Sequence, residues 1–257
     1  DTFIFANKSR RYFPSQKHIS NRLIESVLNN RGEIIVGEFT RQHGKTTIIS
    51  DTAEFLLLFY FDICKRFHLL TFPFFNIGFF APQIDQAKSA FNMLRDSLLS
   101  LKNKGMPFEF SVFNGDTINM HDQYPPRQVY CFTASPQSHP ESKTLNLIIY
   151  DEAQDLVDRQ IDKAIQPMGA ATKATQVFIG VAGYQRCRFQ NLIDTLPQDN
   201  KTIIPVSIAL EERNDMYIET GDPIYLNYKE YIEKSIRMLG ITEDSDHYKT
   251  QFLLQWM

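Results

Sequence analysis

The strongest chemical signal in the sequence is a run from Arg41 to Thr47, RQHGKTT, which follows a β-branched stretch and precedes a long apolar one. The backbone N–H groups at the start of a helix, together with the helix dipole, attract anions such as phosphate. Gly44 would let the backbone come close to a phosphate, and Lys45 would neutralise the β- and γ-phosphates of a nucleotide. Thr46 would place its hydroxyl on a bound Mg²⁺. The run therefore predicts a phosphate-binding loop, which we call the P-loop.

The P-loop departs from the generic pattern in one respect. That pattern, GxxxxGK[ST], starts with a glycine at the position that Phe39 occupies here. Because a bare Gly-Lys-Thr occurs often by chance, the alternative is a capped helix start with a solvated lysine. The side chain of His43, inside the loop, is expected to point outward. The candidate nucleotide-binding residues are those of the loop and one glutamine near the N-terminus: Gln16, Arg41, Gln42, His43, Gly44, Lys45, Thr46 and Thr47.

A second signal is a pair of acids, Asp151 and Glu152, directly after the apolar run Leu147–Tyr150. A strand that ends this way places both carboxylates at the C-terminal edge of a sheet, where ligands of α/β folds bind. Mg²⁺ prefers oxygen ligands and keeps several waters, so Asp151, with Thr46, is a candidate metal ligand. Glu152 is a candidate to orient or activate the attacking water. The alternative is that the two acids only cap the next helix, which its dipole favours.

Two weaker signals complete the candidate site. The segment Phe13–Gln16 precedes the first predicted helix, and the Gln16 amide offers both a donor and an acceptor to the edge of adenine. Tyr12 or Phe13 could then stack on the base, and a surface glutamine in a helix-start turn is the alternative. Small residues end a later strand, where they would let the backbone approach the γ-phosphate and report its hydrolysis, or simply form a tight turn: Gly180, Val181, Ala182 and Gly183.

Basic side chains could stabilise the charge that develops during phosphoryl transfer. The position of Arg41 is set by the P-loop, so Arg41 joins Lys45 and Glu152 as a candidate catalytic residue. The other basic candidates, taken singly, are interpreted as solvated charges: Arg127, Lys143, Arg186, Arg188 and Arg213.

These residues must be positioned by strands and helices that alternate along most of the chain. Strands are predicted at Glu33–Phe39, Asn76–Pro82, Val129–Thr133, Leu145–Tyr150, Gln176–Val181 and Thr202–Ile208. Helices are predicted at His18–Asn29, Thr46–Phe67, Ile84–Leu101 and Tyr225–Leu239, with a final helix that ends in Phe252–Trp256. Strands that are apolar throughout are typical of a mostly parallel α/β sheet flanked by helices. We therefore predict a core over residues 1–206 and a small helical C-terminal subdomain or linker over residues 207–257.

Composition narrows the class of protein further. The chain has 257 residues, of which 43% are hydrophobic and 22% are charged, as expected for a folded globular protein. Its net charge of -3 means that any contact with nucleic acid would need a local basic patch. The three cysteines show no metal-ligand spacing, which fits a reducing compartment. The longest apolar stretch, Phe55–Phe61, is too short to span a bilayer, so no membrane is expected as a partner.

Taken together, these motifs resemble the ATPase domain of the large terminase subunit of tailed double-stranded DNA bacteriophages. Many ATPases share the loop and the acid pair, whereas Arg41-Gln42 and the C-terminal residues make the match specific. The resemblance spans most of the chain and is carried by Arg41-Gln42 with Gly44-Lys45-Thr46, Ala81-Pro82 with Gln86-Ala87, Asp151–Asp155, Ile179–Gly183, and Ser245-Asp246 with Gln251–Trp256.

The resemblance implies a RecA-like P-loop ATPase core that binds ATP and Mg²⁺. It implies that hydrolysis drives translocation of double-stranded viral DNA into a procapsid, in the cytoplasm of the infected bacterial host. The implied partners are the DNA, the portal protein and the small terminase subunit, with self-association into a ring on the portal, although the isolated domain is expected to be monomeric. The resemblance also implies a nuclease domain after Met257, so we expect this chain to hydrolyse ATP but not to cut DNA.

The sequence departs from the family pattern at two points. The run of small residues matches the family's coupling motif, yet Val181 occupies the position where a threonine is usual. No hydroxyl is therefore available at that position to sense the γ-phosphate. No arginine before the acid pair matches the family's trans-acting one, and Lys143 is the nearest basic residue.

Two other functions remain open. A helicase fragment of superfamily 1 or 2 would fit the DEAQ run at the acid pair, but it would need a second RecA-like domain, and the residues after Ser207 are too few for one. A nucleotide-gated scaffold would bind ATP without hydrolysing it, and the presence of Glu152 argues against that function.

Overall fold

The computed structural model describes residues 11–121, 125–134 and 143–257, and its centre is one eight-stranded sheet. The strands are β1 (Ile34–Phe39), β2 (Phe75–Ala81), β3 (Phe110–Phe113), β4 (Thr117–Met120), β5 (Arg127–Thr133), β6 (Leu147–Tyr150), β7 (Thr175–Gly180) and β8 (Lys201–Ile204). Their order across the sheet is β3-β4-β5-β2-β6-β7-β1-β8. The pairs formed by β4 are antiparallel and all other pairs are parallel, so the predicted α/β class with a mostly parallel sheet is confirmed.

Helices cover both faces of the sheet. The main helices are α1 (Pro14–Leu28), α2 (Lys45–Arg66), α3 (Ile84–Asn103), α4 (Arg188–Thr195), α5 (Val206–Thr220), α6 (Asn227–Leu239) and α7 (Asp246–Gln251). Short helical turns lie at Ala153–Asp155, Asp158–Gln160, Ile161–Ile165, Gln166–Gly169, Gln198–Asn200 and Pro223–Leu226. Within the described ranges, no helix combines the length and the apolar character needed to cross a membrane.

The hydrophobic core is divided between the two faces of the sheet, because successive strand residues point to opposite faces. On one face, Leu23 of α1 and Leu57 of α2 belong to a cluster that includes Ile149 of β6. On the other face, Tyr150 of β6 belongs to a second cluster with Phe189 of α4. All four residues of β6 are buried, as expected for a central strand of a parallel sheet.

The strand order brings three of the sequence signals to one edge of the sheet. β7 lies between β6 and β1, and the register pairs Tyr150 with Phe178 and Glu38 with Gly180. Because these strands are parallel, the residues that follow their C-terminal ends lie next to one another. The P-loop, the acid pair and residues 180–183, which we call the coupling segment, therefore meet at this edge.

Helix α1 begins at Pro14, earlier than the predicted start at His18. Proline is favoured in the first turn of a helix, because its fixed φ suits the helix and its missing N–H is not needed there. The Gln16 side chain accepts a hydrogen bond from the Phe13 N–H at 3.0 Å, which caps the helix. The apolar pattern missed this turn because Ser15 and Gln16 are polar, although both are buried.

The predicted last strand and last helix are both too long. β8 ends at Ile204, because Pro205 has no N–H for the sheet and instead precedes α5. The final helix ends at Gln251 rather than continuing to Trp256. Residues 252–257, which we call the C-terminal segment, leave the helix and return to the sheet, where their apolar side chains are packed.

Candidate nucleotide-binding site

The P-loop forms the tight turn that joins β1 to α2. Gly44 precedes the first residue of α2 and has a φ of 76° and a ψ of 28°, in the left-handed region that favours glycine. A Cβ atom at this position would also lie 2.6 Å from the Gln16 side-chain nitrogen. The helix then starts at Lys45, so its first N–H groups, which have no partner within the helix, lie at the C-terminal edge of the sheet.

Lys45 and Thr46 contact the two acids that directly follow β6, Asp151 and Glu152. The Nζ atom of Lys45 lies 2.6 Å from Oε1 of Glu152. The Thr46 hydroxyl donates to Oδ2 of Asp151 at 3.2 Å, and the Glu152 backbone N–H donates to Oδ1 of Asp151 at 2.9 Å. The fold thus brings together side chains that the sequence assigned to the phosphates, the metal and the attacking water.

Burial acts to raise the pKa values of Asp151 and Glu152, whereas the charge of Lys45 acts to lower them. Burial raises the pKa of Asp151 to about 6, and Lys45 opposes that rise. Burial also acts to raise the pKa of Glu152, but the charge and the hydrogen bond of Lys45 outweigh it and hold the pKa below its ordinary value. Glu152 is therefore ionised at neutral pH. The Asp151 carboxylate and the Thr46 hydroxyl are the kind of oxygen donors that Mg²⁺ takes alongside nucleotide phosphates.

The side chain of His43 is buried, so the prediction that it points outward is wrong. The residue is 1% exposed, and its ring stacks on that of Phe13 with centroids 4.7 Å apart. The ring of Phe39 lies 6.0 Å away in a second stacked arrangement. Nε2 of His43 lies 3.2 Å from the Ser15 hydroxyl and 2.9 Å from a carboxylate oxygen of Glu212. Phe39, where the generic loop has glycine, thus supplies part of the aromatic pocket that holds His43.

Gln16 lies against the P-loop, with both ends of its amide hydrogen-bonded. Its oxygen accepts from the Phe13 N–H, and its nitrogen donates to the His43 carbonyl oxygen at 2.9 Å. Tyr12 and Phe13 are only 2% and 6% exposed, so little of either ring is free to stack on a base. The ring of Tyr225 stands edge-on to Phe13 and lines the adjacent cavity.

Two cavities flank the P-loop. The first, of about 410 Å³, lies on the side of the acid pair, and its lining includes Arg41, Lys45, Glu152, Gln154, Val181 and Gln251. The second, of about 640 Å³, lies beside α1 and α5, and its lining includes Phe13, Gln16, Gly44, Thr47, Arg213 and Tyr225. The first cavity offers the cations Arg41 and Lys45 beside the acid pair, whereas the second offers aromatic and amide groups together with charged ones such as Arg213. An elongated ligand lying across the P-loop would therefore find an anion site at one end.

Arg41 faces the first cavity and is held by α7. Its Nε donates to Oε1 of Gln251 at 2.6 Å, and its backbone N–H donates to the Gln251 carbonyl oxygen at 3.2 Å. The hydroxyl of Tyr228 donates to the Arg41 carbonyl oxygen at 2.6 Å. Sequence reasoning gave neither Gln251 nor Tyr228 this role, because no local pattern connects them to the loop.

Arg213 and Arg127 are not the solvated charges that the sequence suggested. Nη2 of Arg213 donates to the Gln42 carbonyl oxygen at 3.1 Å, and its guanidinium lies 4.8 Å and 4.2 Å from the ring centroids of Phe13 and Tyr228. Arg127 is 2% exposed and donates to carbonyl oxygens of α2. The remaining basic candidates are absent from the lining of both cavities, as far as the structure describes it: Lys143, Arg186 and Arg188.

The coupling segment lies between the acid pair and the C-terminal segment. The Val181 N–H donates to the side-chain oxygen of Gln154 at 3.2 Å. A Cβ atom at Gly183 would lie 2.9 Å from the ring of Trp256, whose N–H in turn donates to Glu38 at 2.8 Å. The small residues of this segment therefore make room for Gln154 and Trp256, two neighbours that the sequence pattern did not reveal.

Known proteins resemble this chain in structure rather than in sequence. No family model matches it, and no curated protein sequence is significantly similar. The large terminase ATPase domain of Thermus phage P74-26 is 16% identical, with a TM-score of 0.60 over 85% of this chain and 89% of that one. The large terminase of a thermophilic bacteriophage, solved with ADP, is 14% identical with a TM-score of 0.60. That of bacteriophage HK97 is 15% identical with a TM-score of 0.54 over 77% of this chain.

These structures differ in how much of their length is matched. The chain spans 54% of the thermophilic phage protein and 40% of the HK97 protein, whereas it spans most of the P74-26 ATPase domain. The thermophilic phage protein has also been solved with ATP-γ-S. The resemblance inferred from the motifs is thus confirmed at the level of structure: the chain has the fold of the ATPase domains of bacteriophage large terminases.

Proposed function

We propose that this chain is the ATPase domain of a DNA-packaging motor, which hydrolyses ATP to drive double-stranded viral DNA into a procapsid. The observation that carries the proposal is the 2.6 Å contact between Lys45 and Glu152, beside Thr46 and Asp151 at the C-terminal edge of a parallel sheet. A lysine for phosphate, a hydroxyl and a carboxylate for the metal, and a second carboxylate for water are the groups that phosphoryl transfer requires. The complexes of a structurally similar terminase with ADP and ATP-γ-S support a nucleotide ligand.

In the proposed complex, the phosphates bind at the N-terminus of α2, where Gly44 leaves the backbone N–H groups accessible. Lys45 turns from Glu152 to the β- and γ-phosphates, which together carry more charge than one carboxylate. Thr46 and Asp151 would hold Mg²⁺, which when bound neutralises charge on the same phosphates. Arg41 adds a second cation from the first cavity. The base then extends into the second cavity.

Once Lys45 has turned to the phosphates, the Glu152 carboxylate is available to the attacking water. It orients that water and accepts its proton as the water oxygen bonds to the γ-phosphorus. The bond between the γ-phosphorus and the oxygen that bridges to the β-phosphate breaks, and ADP leaves. The lowered pKa of Glu152 keeps it ionised at neutral pH before the nucleotide arrives. Departure of the γ-phosphate would then be sensed by the coupling segment, through backbone groups and not through a hydroxyl at Val181.

The remaining parts of the proposal concern organisation and partners. Residues 1–206 would form the core, of which residues 1–10, 122–124 and 135–142 lie outside the described structure. Residues 207–257 would form the small subdomain that moves during the cycle. The motor would be a ring of such subunits on the portal protein, working with the small terminase subunit in the host cytoplasm.

The experiment that tests this function is a measurement of phosphate release with ATP, Mg²⁺ and double-stranded DNA. Lys45→Ala and Glu152→Gln should each lower the rate by about 100-fold or more. Lys102→Ala is the matched control, because it removes another lysine–glutamate pair, with Glu109, on the exposed face of α3. It should leave the rate unchanged, since exposed ion pairs contribute little.

Three results would contradict the proposal. A wild-type rate for Glu152→Gln would remove the assigned role of Glu152. A protein that binds ADP but shows no turnover at high concentration with DNA would favour the nucleotide-gated scaffold. Unwinding of a forked duplex by this chain would favour a helicase.

A further inference from the structure

One side-chain amide, that of Gln154, connects the acid pair to the coupling segment. Its Nε2 donates to Oε2 of Glu152 at 2.9 Å and to Oδ2 of Asp155 at 3.1 Å. Its Oε1 accepts from the backbone N–H of Val181 at 3.2 Å. The amide therefore spans the gap between the end of β6 and the end of β7, on the wall of the first cavity.

The amide can satisfy these partners in one orientation only. A carboxylate accepts hydrogen bonds and a backbone N–H donates one. Rotation of the amide by half a turn would point its oxygen at the carboxylates of Glu152 and Asp155 and its NH₂ group at the Val181 N–H. The bridge is therefore directional, and neither a glutamate nor an apolar side chain at position 154 can reproduce it.

Glu152 lies at a strained point of the backbone, and its carboxylate is held by two side-chain donors. Its φ of 50° and ψ of 49° lie in the left-handed region, which residues other than glycine rarely adopt. In the described structure, Lys45 contacts one oxygen of the Glu152 carboxylate and Gln154 contacts the other. When the phosphates draw Lys45 away, Gln154 is the donor that stays on the carboxylate. A neutral amide holds the carboxylate without cancelling the charge that attracts a proton.

At the end of β7, Gly180 leaves room for the side-chain amide of Gln154. A Cβ atom at Gly180 would lie 2.3 Å from Oε1 of Gln154 and 3.3 Å from the backbone nitrogen of Ala153. Because contacts this short do not occur, any larger residue at position 180 would push Gln154 away. The glycine at position 180 therefore allows the Gln154 side chain to come close to the end of β7.

We propose that Gln154 is a positioning residue of this site. Its NH₂ group holds the Glu152 carboxylate in place for the attacking water. Its oxygen accepts from the Val181 N–H and so links the position of that carboxylate to the coupling segment. This inference rests on the proposed ATP hydrolysis. In a chain with no hydroxyl at position 181, the backbone of the same residue makes the link.

The first test is a double-mutant cycle of Gln154→Leu with Glu152→Gln, measured as single-turnover hydrolysis of ATP. With Glu152 present, Gln154→Leu should lower the rate about 10- to 100-fold, because small misplacements of a reacting group cost that much. The affinity for ADP should not change. With Glu152→Gln present, Gln154→Leu should have little further effect, since no base remains to be positioned. Equal losses in the two backgrounds would overturn the proposal, because a general structural defect lowers both rates alike.

The second test needs no nucleotide and follows hydrogen exchange of the Val181 amide. Gln154→Leu removes the acceptor and should speed exchange about tenfold. Gln154→Glu keeps an acceptor for Val181 but turns a carboxylate toward Glu152. It should therefore preserve the slow exchange while losing hydrolysis as Gln154→Leu does. The proposed bridge would be contradicted if the Val181 amide exchanged at an unchanged rate in Gln154→Leu, or if Gln154→Glu hydrolysed ATP at the wild-type rate.

Gln128→Leu is the matched control for both tests. Gln128 is also half-buried and also bridges two side chains, donating to Asn119 at 2.6 Å and accepting from the Tyr130 hydroxyl, but it lies on β5 outside both cavities. It should leave the hydrolysis rate and Val181 exchange unchanged. If the wild-type protein shows no turnover, the proposed function fails, and Val181 exchange still decides whether the bridge exists.

Discussion

Nε of Arg41 and Oε1 of Gln251 meet at 2.6 Å, and a backbone hydrogen bond of 3.2 Å joins the same two residues. The two residues are separated by 210 positions along the chain. The P-loop is therefore attached directly to the end of α7, just before the C-terminal segment begins. Any movement of α7 relative to the sheet would change the position of Arg41.

Removal of the Gln251 side chain should lower the catalytic efficiency, because the Arg41 guanidinium loses its hydrogen-bond acceptor. Gln251→Ala breaks the bond to the guanidinium but leaves the backbone bond, so the fold should persist. We expect kcat/KM for ATP to fall about tenfold, which corresponds to one hydrogen bond to a charged group. Steady-state hydrolysis measures this. Gln255→Ala, an exposed glutamine in the C-terminal segment, is the control, and equal losses in the two variants would contradict the role of Gln251.

Replacement of Arg213 by lysine should loosen the attachment of α5 to the P-loop. A lysine keeps the charge but lacks the planar guanidinium that lies over the rings of Phe13 and Tyr228. We expect the free energy of unfolding to fall by about 1–2 kcal/mol and nucleotide affinity to fall with it. Urea unfolding and ADP titration are the measurements. Arg237→Lys on the exposed face of α6 should change neither, and an unchanged Arg213→Lys would contradict the prediction.

Stability should depend on pH through Glu38. Burial raises the pKa of Glu38 to about 7, and the hydrogen bond from Trp256 opposes that rise. Because the pKa is higher in the folded state, the contribution of Glu38 is fully present below its unfolded pKa and is lost as the pH rises through 7. From pH 5 to pH 8, the free energy of unfolding of the wild type should therefore fall by up to roughly 3 kcal/mol relative to that of Glu38→Gln.

Chemical unfolding at several pH values measures this difference. The glutamine variant keeps an acceptor for Trp256 and cannot ionise, so its stability should change less over the same range. Glu230→Gln, an exposed carboxylate on α6, should follow the wild type. Parallel curves for the wild type and Glu38→Gln would show that Glu38 does not titrate in this range.

Gly180→Ala should destabilise the protein by steric conflict with Gln154. The added Cβ would lie 2.3 Å from Oε1 of Gln154, and overpacking of this kind costs about 1–3 kcal/mol. Gln154→Ala in the same chain should restore most of the stability, because it removes the atom in conflict, but it should not restore hydrolysis. Thermal unfolding and phosphate release distinguish the two effects. A double variant as unstable as Gly180→Ala would place the conflict elsewhere.

The parts of the site that the sequence predicted are local in the chain. The P-loop follows from a strand, a glycine turn and a helix in immediate succession, and the acid pair follows from an apolar strand that ends in two acids. Parallel strands then bring such ends together without further information. That is why the sequence assigned Lys45 and Glu152 to one candidate site, although the strand order that places β7 between β6 and β1 was not predicted.

The parts that were missed depend on contacts between distant residues. His43 and Glu212 are separated by 169 positions, and their contact follows from how α5 packs on the P-loop. The same packing draws Arg213 onto Phe13. The return of Trp256 to the sheet also has no local signal, because the helical pattern before it continues through residues that in fact unwind. Pattern-based inference cannot see which polar residues a distant helix will cover.

Trp256 is the only tryptophan in the chain. Its indole rests on Gly183 of the coupling segment and donates to Glu38, directly ahead of the P-loop. Because indole emission responds to nearby charge and to hydration, the protein carries an intrinsic fluorophore where the coupling segment, the C-terminal segment and β1 meet. Stopped-flow emission could therefore time the motions of this edge in the unlabelled protein, one turnover at a time.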